Sequence, residues 1–198
     1  DYDNVPQAVI LGTAQNGPSL TEVLTALANP QTHVVVNLVG LPLHDRPAFF
    51  LGLLHKILEL RSASGRPHWI LIDETHHLLP RDGHPSAPGL AQDSTGMIYV
   101  TVHPDRIDPS LLKTVALVFA LGQSPAQTIE AFCRARGQHA PPLPFAELER
   151  GHTLMWNPTS SAAPEVLELS PSSNERRRHR RKYAEGELPP DRSFYFRG

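Results

Sequence analysis

The sequence predicts an α/β domain: a mainly parallel sheet with flanking helices. Three observations predict it. Short apolar, β-branched runs alternate with segments of helical periodicity along most of the chain. The runs "HVVVNLV" (33–39) and "HWILID" (68–73) are nearly continuous, as expected of strands buried on both faces. Gly, Pro, Asn and Ser clusters separate the segments, so each is short enough to be one element.

Taken in order, "QAVIL" (7–11) is a short strand. Residues 19–28 form a helix with Leu20, Val23, Leu24 and Leu27 on one face, ended by Asn29-Pro30. A strand over 33–39 follows, then a turn at "GLPL". Residues 45–62 form a long helix whose stripe holds Phe49, Phe50, Leu53, Leu54, Ile57, Leu58 and Leu60. The strand 68–73 leads into a polar stretch, and residues 81–95 are rich in Gly, Pro, Ser and Asp, as in a surface loop. "GMIYVTV" (96–102) is another strand. Asp108 caps, and Pro109 opens, a short helix over 108–113. A strand at 116–122 and a helix from Ser124-Pro125 to Gly137 follow. "HTLMWN" (152–157) and "EVLEL" (165–169) are expected to form a terminal hairpin or edge strands.

The composition bounds the function classes. The 198 residues, 40% of them hydrophobic, suffice for one domain with a core, or one domain plus a tail. No apolar run reaches the ~20 residues of a membrane span, and no secretory-signal layout opens the chain. The lone Cys133 excludes an intramolecular disulfide and a cysteine-built zinc site, and a reducing cytoplasm is the expected compartment. Charge is uneven: residues 1–170 carry a formal −6 and residues 171–198 carry +4, together the −2 of the whole chain. Two segments are therefore expected, a globular domain over 1–170 and a basic linker or tail over 171–198 that ends in the start of a further element, "FYF". The first residue is Asp1 rather than Met, so the chain is expected to be a fragment, a processed product or a partial reading frame.

The chemistry concentrates in "HWILIDETHHLLP" (68–80). Asp73 and Glu74 stand at the carboxyl end of a strand, the edge at which open α/β sheets bind ligands. There, one carboxylate can hold Mg²⁺ through its waters and the next can orient and deprotonate a water for attack on a γ-phosphate. A strand that merely ends in a polar, solvated turn has the same letters. The next strand ends in "VTVHP", which puts His103 where a polar residue can contact the attacking water or the γ-phosphate; a plain loop histidine beside a proline is the alternative. His76, His77 and His84 with Glu74 match no usual zinc spacing, so no zinc site is expected.

"GTAQNGPS" (12–19) has the Gly spacing and the Ser19 hydroxyl of a phosphate-binding G-x-x-x-x-G-K-[ST] loop. Pro18 replaces the lysine and supplies neither an N–H nor a charge. Gly12 as a strand end, Asn16-Gly17 as a turn and Pro18-Ser19 as a helix start account for every letter.

The block "GRPHWILIDETHHLLP" with "GMIYVTVHPDRIDPSLLKTVALVFALG" resembles the second half of the motor domain of HerA-type ATPases, grouped with FtsK-like translocases and type IV secretion ATPases. The matching positions are Asp73, Glu74, His76, Leu78, Leu79, Pro80, Pro104, Asp108, Pro109 and Leu111, within residues 30–137. Two positions depart: His103 stands where these ATPases usually carry Gln, which makes its role pH-dependent, and Thr75 takes a position usually small.

The resemblance implies an incomplete RecA-like P-loop NTPase fold whose P-loop strand lies upstream of the segments seen, with an exposed apolar edge beside the strand that carries Asp73. It implies ATP and Mg²⁺ as substrate and cofactor, Asp73 as the metal ligand, Glu74 as the catalytic base and His103 as the γ-phosphate sensor. An arginine completes each site in ring-forming motors, and Arg106, ahead of Arg134 and Arg136, is the expected one. A homo-oligomeric ring acting on DNA or a polypeptide would be the intact form, with this chain inactive alone. Arg176, Arg177, Arg178, Arg180, Arg181 and Lys182 form a basic run able to neutralise DNA phosphates.

Some relatives with this wording carry the module behind a haloacid-dehalogenase-type phosphatase. "DYD" at Asp1–Asp3 has the spacing of that nucleophile motif, but no apolar strand precedes it. A non-hydrolysing nucleotide-fold binding module with a basic tail is the alternative function.

Overall fold

A computed structural model describes residues 5–82, 95–122, 124–143 and 147–170. His84, Pro85, the Asp1–Asp3 motif, the basic run 176–182 and "FYF" lie outside the described residues. The element order is β1 (Ala8–Leu11), α1 (Leu20–Ala28), β2 (His33–Val36), α2 (Arg46–Ser64), β3 (Ile70–Ile72), α3 (Thr75–Leu78), β4 (Met97–Tyr99), a 3₁₀ turn (Pro104–Arg106), α4 (Pro109–Leu112), β5 (Val118–Ala120), α5 (Pro125–Arg136), β6 (His152–Trp156) and β7 (Glu165–Glu168). No described helix is long and apolar enough to cross a membrane.

The helix ends follow local chemistry. Ser19 caps α1: its Oγ accepts from the Glu22 N–H at 3.2 Å, and the Ser19 N–H donates to Glu22 Oε2 at 2.8 Å. This reciprocal box satisfies two N–H groups that a helix start otherwise leaves orphaned. Ser19→Ala is expected to lower stability by about 1 kcal/mol, read as a lower urea midpoint at an unchanged slope. Pro47 lies in the first turn of α2, where its missing N–H costs nothing, and Gly65 ends that helix at φ 65°. Pro125 and Gly137 play the same parts for α5.

β1 pairs with β2 and β3 with β4, both parallel; β5, β6 and β7 form an antiparallel sheet in that order. The sequence predicts a mainly parallel sheet; the structure is a mixed α/β arrangement with two small parallel pairs and a three-stranded antiparallel sheet, in which β6–β7 is the terminal hairpin. Among the described residues β4 is paired only with β3, and β5 only with β6.

Helices cover one side of these strands. Phe50 and Leu54 of α2, Leu111 and Leu112 of α4, and Ile129, Phe132 and Cys133 of α5 pack with Ile72, Ala120, Leu154 and Trp156 in one core. A second cluster joins Val23 of α1 to Leu53 and Ile57 of α2, against Leu11, Val34 and Val36. The strands are not buried on both faces. Leu71 and Ile98, paired across β3 and β4, are both exposed, as are Trp69, Val100, Phe119 and Leu121. Continuous apolar strands therefore mark here a sheet with one face covered by the described helices and one left open. The exposed apolar surface extends over that face and is not confined to the edge expected beside β3.

Candidate active site

β3 stops at Ile72, and the chain turns through Asp73 and Glu74 into the one-turn helix α3. Glu74 has left-handed backbone, φ 48° and ψ 46°, which costs a residue with a side chain roughly 1–2 kcal/mol. Its surroundings hold it there. The Glu74 N–H donates to Asp73 Oδ1 at 2.9 Å. The next residue, Thr75, is fully buried; its N–H donates to the Val100 carbonyl at 3.0 Å. The Thr75 hydroxyl lies 2.8 Å from the Ile72 carbonyl and 3.1 Å from that of Val100. The threonine at the position expected to be small thus pins the Asp-Glu turn to the neighbouring strand.

The chain after β4 forms the other wall. Thr101 Oγ1 accepts from the His103 N–H at 2.9 Å, and the 3₁₀ turn closes with the Arg106 N–H donating to the His103 carbonyl at 3.1 Å. Two further backbone bonds lace the segments together: Arg81 N–H to the Arg106 carbonyl at 2.8 Å and Asp108 N–H to the Leu79 carbonyl at 3.1 Å. The carboxyl ends of β3 and β4 are therefore a single braced rim.

Four of the residues singled out in the sequence lie on this rim. Asp73 and Glu74 are exposed, His103 is half-buried and Arg106 is exposed. His76 joins them: its ring is buried, 5.1 Å from the His103 ring in an edge-to-face arrangement and 4.2 Å from the His77 ring. His76 Nδ1 lies 3.0 Å from Thr101 Oγ1 and 3.5 Å from Glu74 Oε2. Burial pushes the His76 pKa down; His77, His103 and Arg106 push the same way, and only Glu74 opposes them.

This shift has a definite sign in stability. The neutral imidazole's contribution is fully present above the unfolded value of about 6.5 and is lost as pH falls through it toward the lowered folded value. The urea midpoint is expected to drop on acidification below about pH 6.5, and to drop less in His76→Gln.

Arg134 and Arg136 lie in the last turn of α5. Arg136 Nη2 donates to the Lys113 carbonyl at 3.2 Å, and its guanidinium lies 6.0 Å from the Phe132 ring centroid, a packing role. Thr101 and the hydroxyl of Thr75 were not visible as site residues in the sequence; the one available signal is a hydroxyl two places before His103.

The glycine-spaced loop at 12–18 packs against protein. A side chain on Gly12 would meet the Asn37 carbonyl and the Pro18 ring, one on Gly17 would meet Leu41, and one on Gly40 would meet the Asn16 backbone. Thr13 Oγ1 accepts from the Gln15 and Asn16 N–H groups at 3.2 and 3.0 Å. The Thr13, Gln15 and Asn16 amides are thus bonded within the loop, and Ser19 is bonded to Glu22 in its cap. The glycines serve a close approach between two turns.

No family model and no curated protein matches the sequence. Among solved structures, the genome packaging NTPase B204 from Sulfolobus turreted icosahedral virus 2 is similar. Its complex with ATP-gammaS superposes with a TM-score of 0.54 at 16% identity, over 85% of this chain and 77% of that one. Its complex with AMPPCP gives 0.54 at 14% identity, over 87% and 77%. The chain shares this NTPase's fold. The rim stands at the carboxyl ends of β3 and β4, the edge at which open α/β sheets take ligands.

Among the described residues no group of three or more His, Cys, Asp and Glu could hold a metal ion. A single exposed aspartate suits one class of ion, a hard cation that keeps most of its waters and takes its other oxygens from phosphates. The Asp73 carboxylate is a donor of the kind Mg²⁺ takes.

Proposed function

We propose that the chain is the Asp73–Glu74 and sensor half of an ATP-hydrolysing motor domain of the HerA/FtsK-like group. The observation that carries this reading is the braced rim: an Asp-Glu turn tied through Thr75 to the strand that ends in His103, on an NTPase fold. Asp73 would hold Mg²⁺, which when bound would supply charge neutralisation for the nucleotide's phosphates. Glu74 orients the attacking water and accepts its proton. His103, next along the rim, donates to or accepts from the water or γ-phosphate. Arg106 is the candidate for completing a neighbour's site in a ring.

The phosphate-binding loop is supplied from outside the segments described. In support, among the described residues β4 pairs only with β3 and β5 only with β6, which leaves one edge of each open to a further strand. The 198 residues alone are therefore inactive. The test is turnover of Mg-ATP by the chain alone and by the chain preceded by a strand and a G-x-x-x-x-G-K-[ST] loop. Activity in the second and none in the first is expected; turnover by the 198 residues alone that Glu74→Gln removes would overturn the reading.

The Gln15 and Asn16 amides, engaged by Thr13 Oγ1 in a loop that lacks the lysine, also favour a second reading, a non-hydrolysing module on a nucleotide fold. It predicts partner binding without turnover in either form. The basic run 176–182 is proposed as a DNA contact in both readings, with affinity that falls steeply with salt.

A further inference from the structure

We propose that Thr101 and His76 are a positioning pair for Glu74: Thr101 fixes the His76 imidazole in its Nδ1–H tautomer, and that N–H faces the Glu74 carboxylate. The protons follow from the partners. Thr101 Oγ1 already accepts from the His103 N–H, at 2.9 Å. Its contact with His76 Nδ1, at 3.0 Å, can run in either direction. The carboxylate decides. Glu74 Oε2 lies 3.5 Å from the same nitrogen. A bare lone pair on Nδ1 would be repelled by that oxygen, whereas an Nδ1–H is attracted by it and by Thr101 Oγ1 together. Nδ1 therefore carries the proton and Nε2 does not, and Thr101 Oγ1 accepts twice. The ring stays neutral because it is buried among His77, His103 and Arg106, with Glu74 alone favouring the charged form.

The pair has a mechanical use. The Glu74 side chain is 58% exposed and would otherwise sample several rotamers from its left-handed backbone. A buried donor beside it holds the carboxylate toward β4. Because Thr101 also binds the His103 N–H, one hydroxyl fixes both the carboxylate and the backbone of the sensor loop. That the held carboxylate is a base rests on the hydrolytic reading; the tautomer and the tether do not.

The experiment is ¹⁵N–¹H correlation of the imidazole rings in the 198-residue chain at a pH above 7, on wild type, Thr101→Val and Thr101→Ser. Free histidine favours the Nε2–H form. The expected result is an Nδ1–H pattern for His76 in wild type, conversion mainly to Nε2–H in Thr101→Val, and recovery in Thr101→Ser. An Nε2–H ring in wild type would overturn the proposal, as would an unchanged ring in folded Thr101→Val. Should Thr101→Val not fold, the wild-type spectrum decides alone. Preserved Nδ1–H in this chain, with no effect of Glu74→Gln on turnover by the chain completed by a P-loop segment, would retain the pair and reject the hydrolytic reading.

Discussion

Glu74→Gln in the chain completed by a P-loop segment is expected to lower kcat for Mg-ATP by about 10²–10⁴, the range typical of a lost general base. The substitution keeps the shape of the side chain and removes its basicity. Glu74 is exposed, and the turn around it is held by Asp73, Thr75 and Val100, so the fold should not respond. Nucleotide affinity should be nearly unchanged, since Asp73 and the supplied loop remain. The split between lost kcat and retained binding is the informative part: a carboxylate that only stabilised the turn would change stability and leave the rate. Chelation of Mg²⁺ should silence the wild type to the same degree.

Leu54→Ala is expected to have the largest effect on stability. Leu54 is wholly buried and packs in the core that joins α2, α4 and α5 to β3 and β5. Truncation of such a residue costs about 2–5 kcal/mol, from lost burial and from the cavity left behind. For a domain of this size that amounts to a fall in Tm of roughly 4–20 °C by calorimetry. Trp69→Ala is the matched control. Trp69 is 75% exposed, so its loss should fall within about 0.5 kcal/mol. A large loss at Trp69 in a longer form of the protein, but not in these residues, would show that the open sheet face is covered there.

Much of the architecture was legible because short-range chemistry sets it. Ser19, Pro47, Gly65, Pro125 and Gly137 bound helices within a residue or two of where the sequence puts them. Strand lengths were less legible. The apolar run 33–39 is strand only to Val36, because the Asn37 side chain accepts from the Val39 N–H at 2.9 Å and turns the chain. The run 96–102 is strand only to Tyr99, beyond which Val100 and Val102 stay apolar but exposed. Apolar composition reports that a strand belongs to a sheet; it does not report which faces the fold covers.

The site divides in the same way. Asp73 and Glu74 were legible from their place at a strand end. The helix α3 was not, because it depends on one residue taking left-handed backbone that its type does not favour. Thr101 was hidden for another reason. Its role arises only when His76, 25 positions earlier in the chain, is folded against it.

The left-handed backbone of Glu74 has a consequence for anyone redesigning this protein. A sequence optimised for thermal tolerance alone would place glycine or asparagine there, since either accepts that conformation more readily than glutamate. The redesign would become more robust by discarding its own carboxylate. Position 74 is thus a point at which durability and chemistry compete, and a library selected only by heat would drift away from any activity that the carboxylate supports.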